Sequence, residues 1–142
     1  MVDKILILRK LADLEAYLDQ IREFSSLSLA EYEGNWKTQR IVERTLQIMI
    51  ELSVDIAGHI ISDKKLRPPL SYADTFRSLH EAGIISSELL GIMEKMAKFR
   101  NIVVHQYEKV DDAIVVLILQ RNLDDFLAFR DEIVKLLSES EE

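Results

Sequence analysis

Arg100, Asn101, His105 and Tyr107 stand within eight residues, in the string Arg-Asn-Ile-Val-Val-His-Gln-Tyr. Histidine both takes and gives a proton near neutral pH. Arginine stays charged throughout, and its planar fork matches phosphate oxygens. Together they suit phosphodiester cleavage without a metal. A base removes the proton of an RNA 2′-hydroxyl, that oxygen attacks the neighbouring phosphorus, and the guanidinium meets the extra negative charge. On a helix, Arg100 and His105 lie about 140° apart around the axis and about 7.5 Å along it, so they do not stack directly, but the long arginine can swing toward the imidazole. Asn101 and His105 share a face at i,i+4, which places Asn101 to orient the ring. A helix end just past His105 favours the protonated form through the C-terminal dipole. One histidine does not easily serve as both base and acid, so this chemistry predicts a homodimer with two copies of the motif across one cleft. The alternative is an arginine and a histidine that share a helix by chance and only solvate it.

A second polar pattern lies upstream. Glu43, Gln47, Glu51, Asp55 and His59 recur every four residues in an otherwise apolar stretch, and each step of four drifts about 40° around a helix. Read blandly, this is a solvated face. Read functionally, it lines the cleft, with Glu51 or Asp55 orienting a group of the motif. A carboxylate near His105 would raise its pKa and hold its tautomer. Glu51, Asp55 and His59 as metal ligands would need further donors to close the shell, so no metal and no cofactor is expected. Tyr107 near a helix end is otherwise a packing residue with a wet hydroxyl, and Trp36 at a helix start a packing anchor. His80 reads as an ordinary helix-end residue.

Cations flank the motif: Lys95, Lys98 and Lys109, with Arg40 and Arg44 at the start of the apolar stretch and Lys64, Lys65 and Arg67 before two prolines. They are the candidates for steering phosphate, provided that they converge around His105. The formal net charge of −7 argues against broad nonspecific nucleic-acid binding, and DNA is not expected as a ligand.

The elements that must position these groups are helical. Four glycines and two prolines in 142 residues leave few turns, and apolar residues recur at helical spacing. The spacing predicts helices over Val2–Phe24, Trp36–Ser62 and Tyr72–Ala82, one started by Ser86 or Ser87 and running to about His105–Glu108, and one capped by Asp111 and running to about Leu137. A short turn over Leu29–Glu33 is capped by Ser28, Asp63–Tyr72 is a loop, and Gly83 closes the Tyr72 helix. Val103, Val104 and Ile114–Ile118 carry strand-like composition, and Ser138–Glu142 reads as a frayed tail. The fold class expected is all-α: a single domain over residues 1–142, an up-and-down bundle of four main helices plus one or two short ones, dimerising. The absence of cysteine excludes disulfides and thiolate chemistry. No run approaches the ~18 apolar residues of a membrane span. Charged residues at positions 3, 4, 9 and 10 do not suit a secretory leader, so the expected location is cytoplasmic.

The motif Arg-x4-His-x-Tyr resembles that of the HEPN superfamily, and specifically of its HepT-like toxins. The stretch Arg40-Ile-Val-Glu43-Arg44 through Leu46, Gln47, Glu51, Asp55 and His59 is similar to the long second helix of that family, and the likeness spans essentially the whole chain. The resemblance implies a homodimeric, metal-independent endoribonuclease toxin with Arg100 and His105 as its catalytic pair and Asn101 beside them. It implies an RNA substrate, tRNA or mRNA, and a partner antitoxin, a minimal nucleotidyltransferase, that places AMP on Tyr107. The added phosphate would compete with substrate for Arg100. Many HEPN domains accompany nucleotidyltransferases, so the alternative is a non-catalytic helical partner subunit of such an enzyme.

Overall fold

The computed structural model describes residues 2–139, and every regular element among them is helical. Seven α-helices follow in order: α1 (Lys4–Ile21), α2 (Leu29–Glu33), α3 (Trp36–Asp63), α4 (Tyr72–Glu81), α5 (Ser87–His105), α6 (Asp112–Leu117) and α7 (Asp124–Glu139). Their starts are set by side-chain oxygens that accept otherwise unpaired backbone N–H groups. Asp3, Asn35, Ser71, Ser86 and Asp111 do so for α1, α3, α4, α5 and α6. Ser28 and Glu31 form a reciprocal capping box on α2. Gly83, at a left-handed φ of 76°, turns the chain out of α4.

Two expected features come out differently. The strand-like stretches are helical, because Val103, Val115, Val116 and Ile118 are buried against other helices and packing outweighs β-propensity. The last helix is not α-helical throughout: between α6 and α7 the residues Ile118–Asn122 form a π-helical turn. Helix α7 continues through Glu139, so Ser138 belongs to it, and the rest of the expected tail, 140–142, lies outside the described residues.

Hydrogen bonds and ion pairs between elements give the directions of the long helices. The Asp3 backbone N–H donates to Asp63 at 3.1 Å, so α1 and α3 run antiparallel. Arg22 pairs with Asp124 at 2.7 Å and Arg130 with Glu15 at 2.9 Å, so α7 runs back along α1. Arg100 meets Glu51 while Asp112, beyond the end of α5, accepts from Gln39 at 3.1 Å, so α5 descends along α3. Between them lies one core, with Ile7, Leu14, Leu46, Ile50 and Phe126 almost wholly removed from water. Phe76 of α4 meets Phe129 of α7 edge-to-face at 5.9 Å. Helix α3 is, by length and composition, apolar enough to cross a membrane, although no unbroken apolar run in it approaches that length. Its apolar face, from Val42 through Leu46 and Met49 to Ile60, is the middle of this core.

Candidate active site

Helix α5 carries Arg100, Asn101 and His105, and the chain leaves the helix at Gln106 (φ −141°, ψ 45°). A tight 3-10 turn, Tyr107–Lys109, follows, closed by the Lys109 N–H donating to the Gln106 carbonyl at 2.7 Å. The motif thus straddles a helix end.

Arg100 points toward α3 and α4. Its Nε donates to Glu51 Oε2 at 2.9 Å, and Nη2 lies 2.7 Å from the same oxygen. Gln47 Nε2 donates to that oxygen as well, at 3.1 Å. The remaining guanidinium nitrogen, Nη1, donates to Asn101 Oδ1 at 3.2 Å. The guanidinium carbon lies over the Tyr72 ring, 4.5 Å from the ring centroid. Only 16% of the Arg100 side chain remains exposed. At this burial a charged group needs compensation, which Glu51, Asn101 and Tyr72 supply.

His105 is exposed, and its ring makes no hydrogen bond among the described residues. It lines a shallow hollow of about 290 Å³ with Asn101, Ile102 and Gln106. Asn101 therefore touches both halves of the motif: its carboxamide oxygen accepts from Arg100, and its side chain lines the hollow beside His105. Arg100 does not swing to His105, because Glu51 and Tyr72 hold it on the other flank of the helix. Tyr107 is 66% exposed at the start of the turn.

The polar ladder of α3 divides. Glu51 is drawn to Arg100, whereas Asp55 binds Lys10 of α1 at 2.6 Å and lies 3.6 Å from His59. Of the two carboxylates expected to support the motif, Glu51 meets it, and Asp55 serves the α1–α3 contact. No group of three acidic or histidine side chains among the described residues is arranged to hold a metal. At the lower end of the ladder, burial pushes the Glu43 carboxyl above its usual pKa, against the lowering effect of Arg40 3.3 Å away. The neighbouring Tyr32 hydroxyl is buried without a hydrogen-bond partner, and burial with the nearby Glu43 and Asp112 raises its pKa.

The cations separate as well. Lys98 is exposed seven residues before His105, close to two turns and so on the same face. Lys109 is exposed in the turn that carries Tyr107. Lys95 lines a different, largely apolar hollow with Phe99, Ile114, Leu117 and Asp125. Arg67 is not available to phosphate, because its fork binds Asp74 at 2.8 and 3.0 Å and Glu81 at 2.8 and 3.0 Å. His80 Nδ1 is 2.9 Å from the Ile85 carbonyl, an ordinary helix-end contact. Trp36 is 65% exposed and packs on nothing in the core, which overturns its reading as an anchor. Tyr72 is the residue that sequence reasoning missed: it lies 28 positions from Arg100, and no local spacing links them.

The family model for HepT-like ribonucleases matches residues 14–133 of this chain. The chain belongs to the HepT-like ribonuclease family. This HepT-like chain is 31% identical over 128 residues to the mRNA nuclease HepT of Shewanella oneidensis, covering 90% of this chain and 96% of that protein. It is 27% identical over 125 residues to the tRNA nuclease HepT of Aphanizomenon flos-aquae, covering 88% and 85%. A solved structure of the tri-AMPylated Shewanella oneidensis HEPN toxin in complex with its MNT antitoxin superposes with a TM-score of 0.85, at 31% identity, over 95% of this HepT-like chain and 99% of that one.

Proposed function

We propose that this HepT-like protein is an endoribonuclease toxin in which Arg100 and His105 cleave RNA by internal transesterification. His105 takes the proton of a 2′-hydroxyl as O2′ bonds to phosphorus. The P–O5′ bond breaks, and O5′ leaves with a proton from an acid. The products are a 2′,3′-cyclic phosphate and a 5′-hydroxyl, and no metal enters the balance. Arg100 stabilises the pentavalent phosphorane through the guanidinium edges that Glu51 and Asn101 leave open. The acid is His105 of a second copy: two up-and-down bundles pair so that two motifs share one cleft in the cytoplasm.

The observation that carries this reading is the contrast within one helix. Arg100 is held rigidly by three side chains, while His105 stands free in an open hollow. A charge stabiliser benefits from a fixed position, and a proton carrier needs access. The relatives are named as tRNA and mRNA nucleases, which supports RNA as the substrate class.

A nucleotidyltransferase antitoxin neutralises the protein by transferring AMP from ATP to the exposed Tyr107 hydroxyl: the phenolic oxygen loses its proton and bonds to the α-phosphorus as the bond to the β-phosphate breaks and pyrophosphate leaves. The AMP phosphate then occupies the approach to Arg100 and Lys109.

The deciding experiment expresses wild type and His105→Ala under tight control and analyses total RNA. Growth arrest with discrete fragments ending in cyclic phosphate, absent in a His105→Ala variant that still dimerises, supports the reading. If unmodified wild type neither cuts RNA nor arrests growth yet binds the nucleotidyltransferase, the protein is a partner subunit instead.

A further inference from the structure

The stripe of α3 that holds Arg100 does not end at Gln47. Toward the N-terminus it passes Glu43, Arg40 and Trp36, and at 100° per residue the side chains from Glu51 to Trp36 fall within about an 80° arc. Arg100 stands at one end. At the other, Trp36 is 65% exposed, with the Lys37 ammonium 5.8 Å from its ring centroid. Arg40 keeps 58% of its side chain in water, and Arg44, one turn on, is exposed. Between Trp36 and Gln47 the helix carries three cations and a single carboxylate, Glu43, in a chain of net charge −7; Glu43 pairs with Arg40 at 3.3 Å and Asp112 lies against Gln39, while Lys37 and Arg44 make no ion pair among the described residues. The path from the motif leads there: the chain leaving His105 passes Tyr107 and Lys109 and meets α3 again where Gln39 binds Asp112 at 3.1 Å.

An exposed indole amid cations offers a π-face to a base and charge to the flanking phosphates, the two requirements for holding single-stranded nucleic acid. A protein partner also favours an exposed tryptophan, but the local reversal of charge in an acidic protein selects a polyanion.

We propose that Trp36, with Lys37, Arg40 and Arg44, is a binding subsite for single-stranded RNA, holding the strand away from the cleavage point. It lies about 22 Å from Glu51 along α3, a span of roughly six stacked nucleotides. The proposal rests on the ribonuclease reading for its substrate, but its test does not need cleavage.

Trp36 is the single tryptophan of the chain, so intrinsic fluorescence reports on it alone. Wild type is titrated with a 2′-O-methyl 12-mer, which binds without being cut, and with the 2′-O-methyl dinucleotide. The 12-mer quenches the emission and the dinucleotide does not. Trp36→Ala weakens 12-mer affinity about tenfold, Trp36→Phe restores most of it, and Arg44→Glu lowers the salt dependence of binding by at least one unit of slope. Far-UV circular dichroism of each variant checks the fold. Binding of the 12-mer with unchanged emission, and equal affinity in Trp36→Ala, would overturn the subsite while leaving the ribonuclease reading intact. Quenching by RNA in a wild type that cuts nothing would support the subsite and count against that reading. Emission that responds to the nucleotidyltransferase but not to RNA would assign the face to the protein partner and overturn the proposal.

Discussion

The central carbon of the Arg100 guanidinium lies over the Tyr72 ring, 4.5 Å from its centroid, so the first residue of α4 meets a residue of the motif on α5. The contact is a cation–π pair in a site largely shielded from water, where such pairs reach their greater strength. Tyr72→Leu, which keeps bulk but removes the π-face, is expected to lower kcat on RNA about tenfold with little change in KM. Tyr72→Phe is expected to retain activity. A second readout is the Arg100 Nε–H resonance, shifted by the ring current in wild type and Tyr72→Phe and unshifted in Tyr72→Leu.

Glu51 and Arg100 form the ion pair on which the site is built, at 2.7 Å and with 16% of the arginine and 32% of the glutamate exposed. A double-mutant cycle with Glu51→Ala and Arg100→Ala, read by chemical denaturation, is expected to give a coupling of about 1–2 kcal/mol, above that of an exposed pair and below that of a fully buried one. A coupling near zero would mean that the pair does not persist in solution.

Glu43 titrates above its ordinary pKa because it is buried. A carboxyl raised on folding stabilises the native state below the unfolded pKa, and that contribution is lost as pH rises through the folded value. Glu43→Gln, neutral at every pH, is therefore expected to raise Tm by a few degrees at pH 7, with the gain vanishing as pH falls below about 4. Thermal melts of both proteins across pH 3.5–8 check the sign.

Asp74 has the reverse behaviour. Two hydrogen bonds from Arg67 and one from the Leu70 N–H hold its carboxyl down to about 2. Its stabilising contribution is complete above the unfolded carboxylate pKa of about 3.9 and is lost as pH falls toward 2. Asp74→Asn is expected to lower Tm at pH 7 and to melt like wild type near pH 2. Since Asp74 anchors the start of α4, the same variant at pH 7 is also expected to lower kcat through Tyr72.

Much of this architecture is written locally. The capping residues Ser28, Ser86 and Asp111 and the glycine at position 83 carry their own stop and start chemistry, and the long helices follow from spacing alone. The motif is local too, eight consecutive residues. What spacing could not separate was Glu51 from Asp55. They are one turn apart on α3, and the neighbour each meets comes from a distant part of the chain: Arg100 for one, Lys10 for the other. Arg67 resembles a free cation until α4 brings Asp74 and Glu81 around it. Trp36 resembles a core residue by type, and only the packing of α3 shows that its side points to water. Tyr72 was illegible for the same reason: its partner is defined by the α4–α5 packing and not by any repeat.

The π-helical turn at Ile118–Asn122 has a consequence for the length of the chain. A π turn takes one more residue per hydrogen-bonded ring than an α turn, so α6 and α7 form one rod holding a surplus residue. Removing one residue within that turn lets it relax to ordinary α geometry while Val115 and Phe126 keep facing inward, whereas the same deletion inside α7 would rotate its remaining apolar stripe by about 100°. This segment is thus the place in the rod where the chain tolerates a change of length, and relatives one residue shorter there would keep the same core.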